Sequence, residues 1–379
     1  METTISVTNI RSNYLEITNF IGRNTRCCAV VKGDAYGMGL RNVVTVLLPE
    51  CKDFLVADIH EALEVFDITN EAGLADSVNI YVVHGPDSVE NALIGIKRGF
   101  IFVINTEKQF LLLTAALKLI SDRVLEPRMI LYVAVGMIRT GFSELELSEF
   151  TKKYSNQNHN INRLPVILGI KCIGLMGHMS VSELPSHPLN EKQLKKFKDA
   201  ISLVQNAWNS IVMEHTFANS FGLLLGREYY FSMVRVGVLL YSDVASNASL
   251  NLSESVVEIK ANILQKVILD EDAVIGYGGD LILKTGSKVI TAECGYWYGW
   301  YEKWKNDNFC VCMNHKIPMI SNAMQLAIFD ASSMSDADFL LATSINLIGN
   351  GIKISNLPKR LPHEMLCKVG RLNARKIYI

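Results

Sequence analysis

The sequence lacks the marks of several classes of protein. None of its eight cysteines forms a CxxC pair, and no stretch approaches 18 consecutive apolar residues. The N-terminal segment METTISVTNIRSNYLEI has no basic region followed by an apolar one. Lysine plus arginine and aspartate plus glutamate balance at 37 and 38, which leaves a net charge of −1. These absences predict a cytoplasmic protein with reduced core thiols and a small ligand, and neither nucleic acid nor a membrane as partner.

The sequence also offers no plausible metal site. Cys310 and Cys312 are two residues apart, so their side chains would point the same way on a strand, and His315 follows. A metal site needs more nearby ligands than this histidine provides. We therefore predict no metal.

What the sequence does contain is an alternation of short apolar runs with helix-like segments from residue 26 to about 240. Strand and helix alternating eight times predict a parallel sheet that closes into a (β/α)₈ barrel. An open doubly wound sheet is the alternative, but its usual GxGxxG after the first strand is missing. The predicted strands are residues 27–31, 54–58, 79–83, 100–104, 129–135, 169–175, 213–218 and 232–236.

The character of the sequence changes after the Ser- and Asn-rich segment at 241–255, where helix-like stretches give way to strands and turns. The fold class predicted is α/β plus β: an N-terminal (β/α)₈ TIM-like barrel with a C-terminal mainly β domain. We place the barrel at residues 8–242 and the β domain at 243–379, and we expect residues 1–7 to join the β domain.

Lys32 comes at the end of the first predicted strand, CCAVV. The C-terminal strand ends of a (β/α)₈ barrel form its active-site face. Desolvation lowers the pKa of a lysine amine there and makes it a candidate Schiff-base nucleophile. A salt bridge at the barrel mouth is the alternative, and position alone favours it.

The segment around Lys32, AVVKGDAYGMG, resembles the pyridoxal-phosphate lysine motif of alanine racemases, AVVKANAYGHG. The resemblance implies that Lys32 forms a Schiff base with pyridoxal 5'-phosphate and that Tyr36 reaches the cofactor phosphate. Related barrels such as the basic amino-acid decarboxylases share the motif, so it does not define the reaction.

Three further segments match the same family in order. VAVGMIRTGF is similar to VDTGMGRLGF, which implies that Arg139 lies near the phenolic oxygen of the cofactor and the substrate carboxylate. IGLMGHMS resembles the strand end that carries an active-site histidine, here His178. FANS looks like the family's HxANS element, which places Ser220 on the phosphate with Asn219 behind it.

The segment VRVGVLLYSD is similar to VRPGIALYG and bears on the reaction. The resemblance places Arg235 against the pyridine nitrogen, with the amides of Gly237 and Val238 on the phosphate. A guanidinium cannot accept a proton, so the ring would stay neutral, which favours proton exchange at Cα over elimination or transamination. A surface ion pair is the alternative for an isolated arginine at a strand end.

A racemase needs a second base on the opposite face of the substrate. In the family this is a tyrosine of a Gly-Tyr-Gly turn, contributed by the other subunit, and IGYGGD supplies Tyr277. The resemblance also implies that Tyr296 narrows the substrate entrance and that Met324 lies near the substrate carboxylate. Ordinary turns and strands are the alternative for these three residues.

The sequence departs from the family pattern at several positions. Tyr132 stands where the family often has a carbamylated lysine that holds the site arginine, so Arg139 must be oriented in another way. Ala134 and Val135 replace an Asp-Thr pair, and Arg371 falls where some members carry a phosphate-binding tyrosine. These changes put the shape of the substrate entrance in question more than the reaction.

The resemblance implies a pyridoxal-phosphate-dependent alanine racemase that forms an obligate head-to-tail homodimer and supplies D-alanine for bacterial peptidoglycan. Alternatives are a racemase of serine or lysine on the same scaffold and a non-catalytic barrel that holds pyridoxal phosphate. A decarboxylase is disfavoured, because decarboxylases of this fold place a carboxylate where Arg235 stands.

Overall fold

The computed structural model of the protein describes two compact units. The barrel unit comprises Tyr14–Ala35 and Val43–Leu240, and the β unit comprises Met1–Asn13, Tyr36–Asn42 and Tyr241–Ile379. The residues described are 1–120, 126–154, 164–211, 213–242, 250–253, 256–298, 309–349, 364, 366–368 and 375–379.

The barrel unit is built on a parallel sheet whose strands are buried on both faces. All residues of the strands Asp53–Val56 and Ile101–Ile104 are buried, which is typical of parallel strands covered by helices. The first strand of the chain, β1 (Glu2–Ile5), belongs to the β unit. The strands that follow are β2 (Arg26–Val30), β3 (Asp53–Val56), β4 (Asn79–Val82), β5 (Ile101–Ile104), β6 (Arg128–Tyr132), the short antiparallel β7 (Val166–Ile167), β8 (Ile170–Met176) and β9 (Met233–Val236).

Residues 213–218 complete the barrel without forming a regular strand. On one side the amides of Glu214 and Thr216 donate to the carbonyls of Ile173 and Leu175 in β8, at 2.7 and 3.0 Å. On the other side the amide of Arg235 in β9 donates to the carbonyl of Ala218, at 3.0 Å. Because β9 also pairs with β2, the sheet closes on itself.

Helices follow most barrel strands, and their first turns explain where they begin. Asp58, Ser88, Thr106 and Ser143 each accept a hydrogen bond from a backbone amide of the first turn, which satisfies donors that have no partner inside the helix. The helices are α1 (Val7–Ile21), α2 (Leu40–Leu47), α3 (Ile59–Glu71), α4 (Val89–Lys97), α5 (Glu107–Lys118), α6 (Glu144–Lys153), α7 (Leu189–Trp208) and α8 (Val238–Tyr241).

The β unit is a second closed sheet. Its longest strand, β10 (Val257–Ile268), pairs with β1 at its start and with β13 at its end, and the sheet closes through that last pairing. The unit also contains β11 (Ala273–Val274) and β12 (Ile282–Leu283), which form a separate two-stranded sheet. The other strands of the closed sheet are β13 (Lys288–Ala292), β14 (Phe309–Cys312), β15 (His315–Asn322), β16 (Ala327–Asp330), β17 (Ser344–Ile348) and β18 (Arg375–Tyr378). The predicted fold class, a (β/α)₈ barrel with a C-terminal mainly β domain, is confirmed.

One local expectation differs from the structure. The β unit contains a helix, α9 (Asp336–Leu341), where the sequence predicts only strands and turns; Ser335 caps it by accepting from the Asp338 amide. At the N-terminus the paired strand is Glu2–Ile5, which lies in the β unit, and α1 begins at Val7. Residues 243–249 beside the predicted domain boundary lie outside the described residues, so the boundaries at 8, 242 and 243 stay predictions.

All eight cysteines are free thiols, and seven of them are buried. Burial raises the pKa of each of these seven thiols above its usual value, to about 11 for Cys51 and about 12 for Cys172. The buried cysteines are Cys27, Cys28, Cys51, Cys172, Cys294, Cys310 and Cys312. None of the helices in the described ranges is long and apolar enough to cross a membrane.

Candidate active site

Lys32 follows β2 by two residues and opens a left-handed turn. Gly33, Asp34, Ala35 and Tyr36 have φ angles of 68°, 55°, 53° and 59°. A left-handed conformation costs a residue other than glycine about 1–2 kcal/mol, and here three such residues adopt it in succession. Backbone strain of this kind persists only where the surrounding structure holds it, and it concentrates at functional sites.

Arg235 lies on β9, next to the strand that leads to Lys32, with Cys28 as its partner in the register. Its side chain is buried and donates to Thr216 Oγ1 at 2.7 Å and to the carbonyl oxygen of Gly177 at 2.6 Å. Both acceptors are neutral. Burial lowers the pKa of Arg235, because desolvation disfavours the charged form.

His178 stands beside this guanidinium, with its Nδ1 at 3.5 Å from Nη2 of Arg235. The structure thus brings together two of the residues singled out from the sequence, from the ends of β8 and β9. Thr216 was missed. Its only sequence signal is its place in the predicted strand 213–218, directly before the FANS segment.

Ser220 and Asn219 form a second group of hydrogen bonds at the end of the 213–218 segment. Ser220 Oγ accepts from the amide of Gly237 at 2.9 Å. Asn219 Oδ1 accepts from Ser182 Oγ at 2.8 Å and from the Gly222 amide at 2.9 Å, which fixes the loop that carries Ser220. The Gly237 amide, expected from the resemblance to face a phosphate, therefore donates here to the Ser220 hydroxyl, and Val238 begins α8 directly after it.

Arg139 is oriented by Tyr132. The Nη2 atom of Arg139 donates to the Tyr132 hydroxyl at 3.2 Å, and Tyr132 itself is buried at the end of β6. The intervening loop folds back, because the Phe142 amide donates to the Tyr132 carbonyl at 2.8 Å. Gly141 is required for this approach: a Cβ there would lie 2.3 Å from the Tyr132 ring. A hydroxyl thus occupies the place where the family often has a carbamylated lysine.

The other residues singled out from the sequence lie in the β unit. The Tyr36 ring is 5.1 Å from that of Tyr241, centroid to centroid. Tyr277 is 88% exposed in a turn between β11 and β12, and Tyr296 and Met324 are about half exposed. Arg371 lies outside the described residues.

Comparison with known proteins bears on both parts of the chain. Residues 5–244 match the family of alanine racemase N-terminal domains, and residues 256–377 match that of alanine racemase C-terminal domains. The chain belongs to the alanine racemase family. Individual alanine racemases align with it over almost their whole length. The protein from Rhodospirillum rubrum is 27% identical over 98% of this chain and 94% of its own, and that from Rickettsia canadensis is 28% identical over 98% and 97%.

A solved alanine racemase from Bartonella henselae, described as having covalently bound pyridoxal phosphate, superposes with a TM-score of 0.83. It is 26% identical and covers 100% of this chain and 99% of its own. The predictions of an amino-acid racemase and of pyridoxal phosphate as its cofactor are confirmed.

The residues present fit this cofactor. Lys32 offers a primary amine at the C-terminal end of the barrel strands, where ligands of this fold bind. Arg235 offers a buried guanidinium that donates to neutral oxygens, and Ser220 offers a hydroxyl already aligned by a backbone amide. The amine suits the aldehyde of the cofactor, the fixed cation suits its aromatic nitrogen, and the hydroxyl suits its phosphate.

Proposed function

We propose that this chain is an alanine racemase that interconverts L-alanine and D-alanine by moving a proton between two bases at Cα. The observation that carries this proposal is the buried Arg235 with its neutral oxygen partners. A residue facing the pyridine nitrogen tunes how strongly the cofactor withdraws electrons, and a guanidinium cannot take up the ring proton. When bound, pyridoxal phosphate acidifies the Cα–H bond, and moderate acidification suits a proton that is to be returned at once.

Two residues move the proton. Lys32 Nζ removes it from one face of Cα, and the hydroxyl of Tyr277 of the partner subunit supplies one to the other face. In the opposite direction the phenolate of the partner subunit's Tyr277 removes the proton and the Lys32 ammonium returns one. Each base is thus regenerated by the reverse reaction or by exchange with water.

Other residues bind the cofactor and the substrate and orient the groups that contact them. Ser220, Tyr36 and the amides of Gly237 and Val238 hold the phosphate, and Asn219 fixes the loop behind Ser220. Arg139 binds the substrate carboxylate, and Tyr132 orients Arg139. His178 packs beside Arg235 and keeps that cation in place. The partner subunit's Tyr296 and Met324 narrow the entrance, which favours a small side chain such as that of alanine.

The active form is then a head-to-tail homodimer. Tyr277 is 88% exposed, and Tyr296, Met324 and Trp297 are each about half exposed. The Trp297 amide donates to the Met324 carbonyl at 2.7 Å, so these two residues are neighbours. Apolar groups exposed together on one unit commonly mark an interaction surface. A second copy of the chain covers them and receives Tyr277 in its site.

D-alanine is a building block of peptidoglycan, and we propose that this enzyme supplies it in the bacterial cytoplasm. The eight free cysteines support a reducing compartment.

The test is an α-proton exchange assay with L-alanine in deuterated water, combined with measurement of D-alanine. The wild type should exchange the proton and form D-alanine, and Lys32→Ala should do neither. Tyr277→Phe should lose racemisation in both directions, because the two enantiomers are equal in free energy and interconvert through one pathway. Tyr154→Phe is the control, because that hydroxyl donates to Glu107 at the start of α5 and to none of the residues proposed for the site. Wild-type protein that binds the cofactor and exchanges only serine or lysine, or no amino acid, would overturn the proposal.

A further inference from the structure

A glutamate that the sequence did not single out contacts the turn behind Lys32. Glu61, in the first turn of α3, accepts with Oε1 from the amide of Gly33 at 2.6 Å and from that of Asp34 at 3.2 Å. Its other oxygen, Oε2, accepts from the amide of Ala57 at 2.8 Å. One carboxylate therefore joins the segments that follow β2 and β3.

The left-handed turn after Lys32 needs a hydrogen-bond acceptor for its first amides. The left-handed residues 33–36 start directly after Lys32, and the first two amides of this turn both donate to Glu61. The next amide, of Ala35, donates to the carbonyl of Val31 at 2.7 Å. Backbone donors bonded to a carboxylate form stronger hydrogen bonds than those bonded to neutral acceptors. The carboxylate thus offsets part of the strain of the left-handed conformation.

Glu61 is itself held firmly. Its own amide and that of His60 donate to Oδ1 of Asp58, which caps α3. The strand before the turn is tied to the same region, since the Val31 amide donates to the Leu55 carbonyl at 2.9 Å. The direction in which Lys32 leaves the backbone is consequently fixed by β3 and the start of α3 as well as by its own strand.

We propose that Glu61 is a positioning residue for Lys32: it holds the left-handed turn that aims the lysine amine. The role of Lys32 as a base rests on the proposed function, whereas the role of Glu61 in the turn does not. Misplacement of a reacting group by about 1 Å can reduce a rate about 100-fold. The catalytic consequence of removing the carboxylate is therefore large even though Glu61 does not touch the reacting atoms.

The first experiment measures hydrogen–deuterium exchange on the holoenzyme, in peptides that cover residues 33–37. Glu61→Ala should increase amide exchange there about 10-fold or more, with little change in the strands of the β unit. Glu61→Gln retains one acceptor oxygen and should give an intermediate increase. Glu64→Gln, an exposed carboxylate one turn along the same helix, is the matched control and should exchange like the wild type.

The second experiment measures kcat and KM for alanine at equal cofactor content, read from visible absorbance. Glu61→Ala should lower kcat about 100-fold and Glu61→Gln about 10-fold, with less change in KM. Wild-type exchange at residues 33–37 in both variants, or a uniform increase over the whole chain, would refute the positioning role. If the wild type does not racemise alanine, the proposed function fails, yet the exchange result still decides the role of Glu61 in the turn.

Discussion

At the scale of single residues, Tyr132 shows how one side chain can replace another of different chemistry: its hydroxyl orients Arg139 where the family often uses a carbamylated lysine. A phenol hydroxyl at 3.2 Å accepts a single hydrogen bond from the guanidinium. A carboxylate would accept a bidentate and stronger pair. Within the part of the chain that the structure describes, Arg139 is therefore oriented by one modest hydrogen bond and by the fold of its loop, which Gly141 allows.

We expect Tyr132→Phe to raise KM for alanine about 10-fold, because a hydrogen bond to a charged group contributes about 1.5 kcal/mol. The change in kcat should be smaller, since neither base is affected. Steady-state kinetics in both directions measure the two constants, with Tyr154→Phe as control. An unchanged KM would show that the loop alone orients Arg139.

His215 provides a prediction about pH. Its Nδ1 accepts from the Leu175 amide at 3.2 Å, and burial lowers its pKa to about 4. The unfolded chain, with an ordinary histidine pKa of about 6.5, binds more protons below that pH than the folded chain does. Stability is therefore lost as pH falls from about 6.5 towards 4, by about 3 kcal/mol in total.

His215→Asn keeps an acceptor for the Leu175 amide and removes the titration. The smaller side chain packs less well and lowers stability at every pH. The free energy of unfolding should nevertheless vary less with pH between pH 4 and 6.5 than it does in the wild type. Urea denaturation at several pH values measures this. The same slope in the variant and the wild type would assign the acid sensitivity to other groups.

Sequence reasoning succeeds at this scale where neighbours are set by register, and it fails for contacts made across the fold. Lys32 follows β2 and Arg235 lies on β9, and the pairing of these two parallel strands follows once eight strands are recognised. Glu61 contacts Gly33 from 28 residues away, and Thr216 meets Arg235 from 19 residues away. Neither contact leaves a periodic pattern in the sequence.

At the scale of elements, the barrel strands are predictable because both of their faces are buried, which gives short unbroken apolar runs. The left-handed turn after Lys32 is not predictable in this way. Only Gly33 and Gly37 signal positive φ, whereas Asp34, Ala35 and Tyr36 adopt it through tertiary contacts. The short helix α9 was missed because six residues carry too little periodicity to distinguish a helix from a loop.

Gly174 is an element-scale requirement in β8. A Cβ there would lie 1.3 Å from the carbonyl oxygen of Glu214, in the segment that closes the barrel. Gly174→Ala should therefore separate β8 from that segment and destabilise the protein by about 3 kcal/mol or more. Gly73→Ala, where a Cβ would meet nothing within 4 Å but φ is +68°, should cost only about 1 kcal/mol. Thermal and urea denaturation compare the two, and equal losses would contradict the steric account.

At the scale of the whole molecule, the proposed dimer predicts complementation between inactive variants. Lys32→Ala and Tyr277→Phe each damage both sites of a homodimer. In a mixed dimer, one site receives an intact Lys32 from one chain and an intact Tyr277 from the other. Co-refolding or co-expression should therefore restore about a quarter of the wild-type racemase activity if chains pair at random. No recovery in a mixture shown to contain mixed dimers would place both bases in a single chain.

Labelling of the buried thiols allows the unfolding of each of the two units to be followed separately. A thiolate, not a thiol, reacts with an alkylating reagent, so a buried cysteine of raised pKa stays unlabelled until its surroundings open. Four of these cysteines, Cys27, Cys28, Cys51 and Cys172, lie in the barrel unit, and Cys294, Cys310 and Cys312 lie in the β unit. A brief pulse of reagent during denaturation, followed by peptide mass analysis, would record the order in which the units open, with no introduced label.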